Sequence, residues 1–144
     1  MTRVGVALSG GGHRASVWAA GLLLYLADAG RNGDVGAIAS VSGDSSPFEV
    51  PDAFAQDDRV PDRSARAREA IAWLGDSEVN RAAWAAVAGQ SRTLPTVLRK
   101  LGPDATARLL WHAYVLAACN LHVLLPDFKL PPLPAEDEFR DLVG

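Results

Sequence analysis

One serine and three glycines near the start of the chain have the residue types and the spacing of an acyl-transfer site. Gly10, Gly11 and Gly12 follow a short apolar segment, and a helical pattern begins directly behind them. Glycine lets the backbone come close to a ligand, and the free N–H groups at a helix N-terminus favour negative charge. Ser42 follows a second apolar segment on a tight turn, an arrangement that exposes a serine Oγ. The pattern therefore predicts an anion-stabilising loop beside a nucleophile.

The elements that must position these residues form a β-α-β unit. The sequence predicts a strand from Val4 to Leu8, a helix with a broad apolar face behind Gly12, and a second strand from Val35 to Val41. Two such strands run parallel, with a right-handed connection. Because open α/β sheets bind ligands at the carboxyl ends of their strands, we expect the glycine turn and Ser42 at the same edge.

Both motifs resemble those of the patatin-like phospholipase family, in its bacterial, cytosolic-phospholipase-like variant. The similar segments are Leu8-Ser9-Gly10-Gly11-Gly12-His13-Arg14-Ala15 and Ser40-Val41-Ser42-Gly43, which cover about a third of the chain with their connecting helix. The resemblance implies that Gly10, Gly11 and Gly12 form the oxyanion loop and that Ser42 is the nucleophile. It also implies that Arg14 supports the loop or contacts a phosphate, and that the substrate is a lipid or another ester.

The sequence departs from that family at several positions. Ser40 and Asp44 stand where the family has glycines, and the Asp44 carboxylate would oppose an oxyanion forming nearby. The family's base is an aspartate in Asp-Gly-Gly or Asp-Gly-Ala, and neither occurs here, so the dyad Asp is unknown. Pro47 interrupts the helix that would follow the elbow. His13 is a candidate substitute base, because histidine titrates near neutral pH, although a variable loop residue is the simpler interpretation.

These patterns predict an α/β fold in one abbreviated, truncated patatin-like domain over residues 1–144. Its N-terminal β-α-β unit, with a small parallel sheet, occupies residues 1–46 and packs with C-terminal helices. Residues 47–64 are expected to form an irregular, proline-containing linker, and residues 65–144 the helical part. Two strands do not make a stable sheet alone, so helices would have to cover them.

The helical part is predicted from periodicity and capping residues. The expected helices run from Ala65 to Leu74, from an Asp76-Ser77 cap to Ala88, from Thr93 to Leu101, from Ala105 to Leu125 and from Glu136 to Val143. The helix over residues 105–125 is almost entirely apolar. A buried helix, a membrane-surface or partner-binding helix that can mediate oligomerisation, and a membrane span all fit this pattern.

Composition narrows the function classes further. A net charge of −3 argues against nucleic-acid binding. The single cysteine, Cys119, lies in an apolar run and is predicted to be a buried small hydrophobe. No metal-binding spacing occurs among the three scattered histidines, so we expect neither a metal nor a cofactor. The N-terminus does not resemble a signal peptide, which indicates a cytoplasmic protein with an optional peripheral membrane contact.

Three functional hypotheses remain open at this stage. The first is a serine acyl hydrolase acting on lipid esters. The second is a non-catalytic remnant, or an interaction module, that retains the anion-binding loop. The third is dinucleotide binding, because Gly10-x-Gly12-x-x-Ala15 also fits that fingerprint. It requires an acidic residue at the end of the second strand, whereas Asp34 precedes the strand and Asp44 lies too far beyond the glycines.

Overall fold

The computed structural model describes residues 4–8, 12–40, 45–57, 59–93 and 101–143, with the backbone alone for residues 4–8, 12–16, 36–40 and 92. These residues form two short strands and six α-helices. In chain order they are β1 (Val4–Leu8), α1 (Gly12–Asp28), β2 (Val35–Ser40), α2 (Glu49–Phe54), α3 (Pro61–Leu74), α4 (Glu78–Thr93), α5 (Pro103–Leu124) and α6 (Glu136–Val143). A single 3₁₀ turn, Asn32–Asp34, precedes β2.

The predicted α/β class is wrong, because the body of the protein is helical. Helix makes up 73% of the residues whose side chains are described, so no sheet layer separates the helices. The buried residues of the main hydrophobic core come from helices α1, α3, α4, α5 and α6 and from the segments that connect helices. Two strands expose both edges and bury too little surface to organise a domain. The prediction of a truncated patatin-like fold organised around a sheet is therefore also wrong.

Two short segments at the start of the chain nonetheless pair in parallel. Val6 pairs with Ile38 and Leu8 pairs with Ser40, while the register is irregular between Val4 and Gly5. Helix α1 connects the two strands. This two-stranded ladder is a small addition to a mainly helical fold.

Helix α5 is the centre of the structure. Twelve of its residues are buried, and it packs against α1, α3 and α6. At Gly21 the backbones of α1 and α5 come so close that a Cβ would lie 2.4 Å from the carbonyl oxygen of Leu110. The buried-helix interpretation of residues 105–125 is confirmed. Among the described helices, none combines the length and the apolar character needed to cross a bilayer.

Local signals placed two helix boundaries correctly. Helix α3 ends at Gly75, which takes the left-handed conformation with φ 74°. Ser77 Oγ accepts a hydrogen bond of 3.1 Å from the backbone N–H of Asn80, so the predicted cap of α4 is confirmed. The predicted stop near Gly89 is wrong, because α4 continues to Thr93.

The segment at residues 47–64 is more ordered than predicted. It contains α2 and the first turn of α3, which starts at Pro61, so the irregular-linker prediction is wrong for these residues. Proline at the first position of a helix is tolerated because its missing N–H has no helical partner. Most of the short helix predicted from Thr93 to Leu101 lies outside the described residues.

Candidate functional site

The predicted acyl-transfer residues lie only partly within the described residues. Gly10, Gly11 and Ser42 fall outside them, and so does Asp44. Gly12 is the first residue of α1, as expected for a loop that ends at a helix N-terminus. For Arg14, in the first turn of α1, and for His13 the backbone alone is described. The convergence of the glycine loop with the serine therefore stays a prediction.

The strand ladder provides the geometry that bears on this prediction. Leu8 and Ser40 are the last residues of β1 and β2, and they are register partners. Because the strands are parallel, both end at the same edge of the ladder, and α1 begins four residues after Leu8. Both motif segments therefore follow strands that end on the same side of the ladder. Open α/β sheets place their ligand sites at this end of their parallel strands.

A buried histidine on α5 contacts the chain just beyond Ser42. His112 is completely buried; its Nε2 lies 3.1 Å from the carbonyl oxygen of Ser45 and its Nδ1 lies 3.0 Å from Ser91 Oγ. A carbonyl oxygen only accepts, so in the neutral ring Nε2 donates to Ser45 and Nδ1 accepts from the Ser91 hydroxyl. The ring also makes an edge contact with Trp18 at 5.0 Å. Sequence reasoning missed the link between His112 and the serine segment, because 67 residues separate His112 from Ser45.

His122, which is also buried, has a structural role as well. His122 Nδ1 lies 2.8 Å from the carbonyl oxygen of Phe128, and its Nε2 lies 3.2 Å from Glu69 Oε2. These contacts join α5 to α3 and to the segment behind α5.

A second candidate site is an open cavity of about 680 Å³ between α1, α5, α6 and residues 131–134, which we call the acidic groove. Its walls are mainly apolar and include Leu24, Leu133, Phe139 and Leu142. Its polar groups are the carboxylates of Asp28 and Glu138 and the hydroxyl of Tyr114. Sequence reasoning missed this groove, because its acidic residues lie on different helices far apart in the chain.

A hydrogen bond from Tyr114 fixes the polar side of the acidic groove, and Tyr25 donates a second hydrogen bond next to the groove. The Tyr114 hydroxyl donates to Asp28 Oδ2 at 2.9 Å, and the Tyr25 hydroxyl beside it donates to the carbonyl oxygen of Lys129 at 3.0 Å. Burial raises the pKa of Tyr114, and the neighbouring Asp28 carboxylate raises it further. Burial also raises the pKa of Tyr25, to about 12. Both phenols therefore stay neutral well above the pH at which a free tyrosine ionises.

Two tryptophans hold the proline segment that closes the acidic groove. The indole N–H of Trp73 donates to the carbonyl oxygen of Pro131 at 2.7 Å, and that of Trp111 donates to the carbonyl oxygen of Pro134 at 2.9 Å. In an extended segment, the carbonyl oxygen of a proline accepts a hydrogen bond within the protein only where another element supplies the donor. The two indoles supply it from α3 and α5, so residues 131–134 are anchored at both ends.

The described residues contain neither a cluster of metal-ligating side chains nor an exposed thiol. No group of three or more His, Cys, Asp or Glu side chains there is arranged to hold a metal ion. Cys119 is fully buried in α5, and this burial raises the pKa of its thiol. The prediction that Cys119 is a buried small hydrophobe is confirmed.

Comparisons with protein-family models, with curated proteins and with solved structures found no match to this chain. The patatin-like resemblance stays a prediction from the motifs at residues 8–15 and 40–43. The structure adds two candidate sites to these motifs. One is the ladder edge from which both motif segments leave, and the other is the acidic groove.

Proposed function

We propose that this chain is a serine acyl hydrolase that acts on lipid esters. In this proposal Ser42 Oγ bonds to the ester carbonyl carbon, and the N–H groups of Gly11 and Gly12 bind the oxyanion that forms. The hydroxyl proton passes through water to the alcohol, which leaves, and a second water molecule then hydrolyses the acyl-serine. The observation that carries the proposal is the parallel register in which Leu8 pairs with Ser40. This pairing supports a site in which both motif segments start at the same end of the ladder, next to the N-terminus of α1.

His112 supports the same site as a positioning residue. Its Nε2–H donates to the carbonyl oxygen of Ser45, which lies three residues after Ser42. A buried hydrogen bond of this kind restrains the segment that follows the nucleophile. His112 is not proposed as the base, because in the neutral ring its Nε2 proton is bound to a backbone carbonyl and its Nδ1 faces Ser91.

A fluorophosphonate probe tests the proposed nucleophile. The full chain should be labelled, Ser42→Ala should lose the labelling, and the matched control Ser45→Ala should keep it, because the alanine retains the carbonyl that His112 contacts. Hydrolysis of p-nitrophenyl butyrate by the same three proteins should follow the labelling. Folded wild-type protein that takes up no probe, or labelling that persists in Ser42→Ala, would refute the proposal.

The alternative is a non-catalytic chain that retains the glycine loop or serves as an interaction module. One observation favours it: the sequence contains neither Asp-Gly-Gly nor Asp-Gly-Ala, so no base is assigned. A serine without a base stays protonated and reacts poorly. The probe experiment separates the two proposals, since a remnant that folds normally would take up no label.

Dinucleotide binding has less support. The Arg31 side chain binds the Asp34 carboxylate at 2.5 Å, and Asp34 immediately precedes β2. Asp34 therefore lies at the opposite end of β2 from the edge where α1 begins. A ribose hydroxyl would need an acidic residue at the other end of that strand. An unchanged melting temperature in the presence of NAD would agree with this reasoning.

A further inference from the structure

The acidic groove is remote from the proposed acyl-transfer site. Asp28 is the last residue of α1, whereas Gly12 is the first, and the helix has 17 residues. At 1.5 Å per residue the two ends lie about 24 Å apart. A ligand of the groove is therefore independent of the chemistry proposed for Ser42.

The two carboxylates of the groove lack the cationic partners that their neighbours have. Next to Glu138 on α6, the Glu136 and Asp137 carboxylates both contact Arg140. Among the described residues, neither Asp28 nor Glu138 forms an ion pair, and no lysine, arginine or histidine lines the groove. Two exposed carboxylates thus line a mainly apolar groove, and no cationic side chain is among its described lining residues.

The local structure increases this negative potential. Asp28 ends α1, where the helix dipole is negative and an acidic side chain is unfavourable. Within the described ranges, the two carboxylates accept hydrogen bonds from neutral donors: the Tyr114 hydroxyl for Asp28, and the backbone N–H of Ala135 at 2.8 Å for Glu138. A carboxylate accepts several hydrogen bonds, so both groups keep acceptor capacity for a ligand.

We propose that the acidic groove binds a small hydrophobic organic cation, of the class of the long-chain alkylammonium ions. Its ammonium group is bound by Asp28 and Glu138, and its apolar body lies against Leu24, Leu133 and Leu142. The groove volume of about 680 Å³ suits a ligand of this size. The three leucines are 36%, 43% and 67% exposed, so a bound apolar chain would remove them from water.

Titration of the full chain with decylammonium tests the proposal. Decanoate and decanol, which have alkyl chains of the same length, are the comparisons, and all three are used at concentrations below those at which they form micelles. Calorimetry should give one decylammonium per chain and much weaker binding of the other two. Asp28→Asn and Glu138→Gln preserve the hydrogen-bond acceptors but remove the charges. Each should weaken decylammonium binding about tenfold or more, the scale expected for loss of a charge-assisted hydrogen bond.

Two further variants make the test specific. Asp141→Asn removes a charge from the same helix outside the groove and should leave binding unchanged. Leu142→Lys replaces an exposed wall residue, places an ammonium group at the groove and should abolish decylammonium binding. Equal binding of decylammonium and decanol, or unchanged binding in Asp28→Asn and Glu138→Gln, would overturn the proposal. So would a dimer that these variants dissociate, since a second copy would then occupy the groove.

Discussion

Replacing Gly21 with alanine tests the packing of α1 on α5, on which the helical body depends. A Cβ at this position would lie 2.4 Å from the carbonyl oxygen of Leu110 and 2.7 Å from the Cβ of Ala113. Both are fixed parts of α5 that cannot rotate away, so the two helices must separate. Overpacking of this kind costs up to about 3 kcal/mol. The better helix propensity of alanine offsets about 1 kcal/mol, which leaves a net destabilisation of about 2 kcal/mol.

Gly89→Ala is the matched control for this prediction. Gly89 also lies inside a helix, α4, but a Cβ there would meet no atom within 4 Å. The same substitution should therefore stabilise the protein by about 1 kcal/mol through helix propensity alone. The difference between the two variants, about 3 kcal/mol, measures the steric contribution at Gly21 without the propensity term.

Urea unfolding followed by circular dichroism measures both free energies of unfolding. The Gly21→Ala midpoint should fall and the Gly89→Ala midpoint should rise, with the slopes unchanged if both variants unfold in two states. The reasoning is refuted if Gly21→Ala is as stable as Gly89→Ala, because α1 and α5 would then not pack as closely as described. A variant with Gly21→Leu should lose more stability than Gly21→Ala.

Two further predictions follow from buried titratable groups. Because the pKa of Tyr25 is raised to about 12 in the folded state, its contribution to stability is fully present below pH 10 and is lost as the pH rises towards 12. The free energy of unfolding should fall between pH 10 and 12, and it should fall less steeply in Tyr25→Phe. Absorbance at 295 nm should show that both tyrosines of the folded protein ionise above pH 10. Ionisation of the folded protein near pH 10 would contradict this prediction. Cys119 should not react with Ellman's reagent until the protein is unfolded, because burial raises the pKa of its thiol and excludes the reagent. Rapid modification of the native protein would show that α5 is more open than described.

Local signals in the sequence were sufficient for much of the helical part. Gly75 ends α3 because a residue without Cβ takes positive φ at low cost, and Ser77 starts α4 because its hydroxyl binds a free backbone N–H. Helix α6 has the predicted bounds, Glu136–Val143. These boundaries depend on residues within one turn of each other, so the sequence displays them directly.

The class of the fold depended on contacts that no local pattern records. The strands at Val4–Leu8 and Val35–Ser40 suggested an α/β domain, but in the part of the chain that the structure describes they pair only with each other. The core forms instead where α1 packs on α5, with Tyr25 and Tyr114 in edge contact at 5.4 Å. Apolar periodicity shows that a helix face is buried without showing which element covers it.

The sequence by itself determined the end of α3, the start of α4, both bounds of α6, and which residues are candidates for acyl transfer. Only the tertiary structure joined Asp28 to Tyr114, His112 to Ser45 and the tryptophans to the proline segment. Capping and periodicity act over a few residues, whereas these contacts join groups more than 20 residues apart. Their partners are selected by the packing of whole helices, because each buried polar group must find a donor or an acceptor within the core.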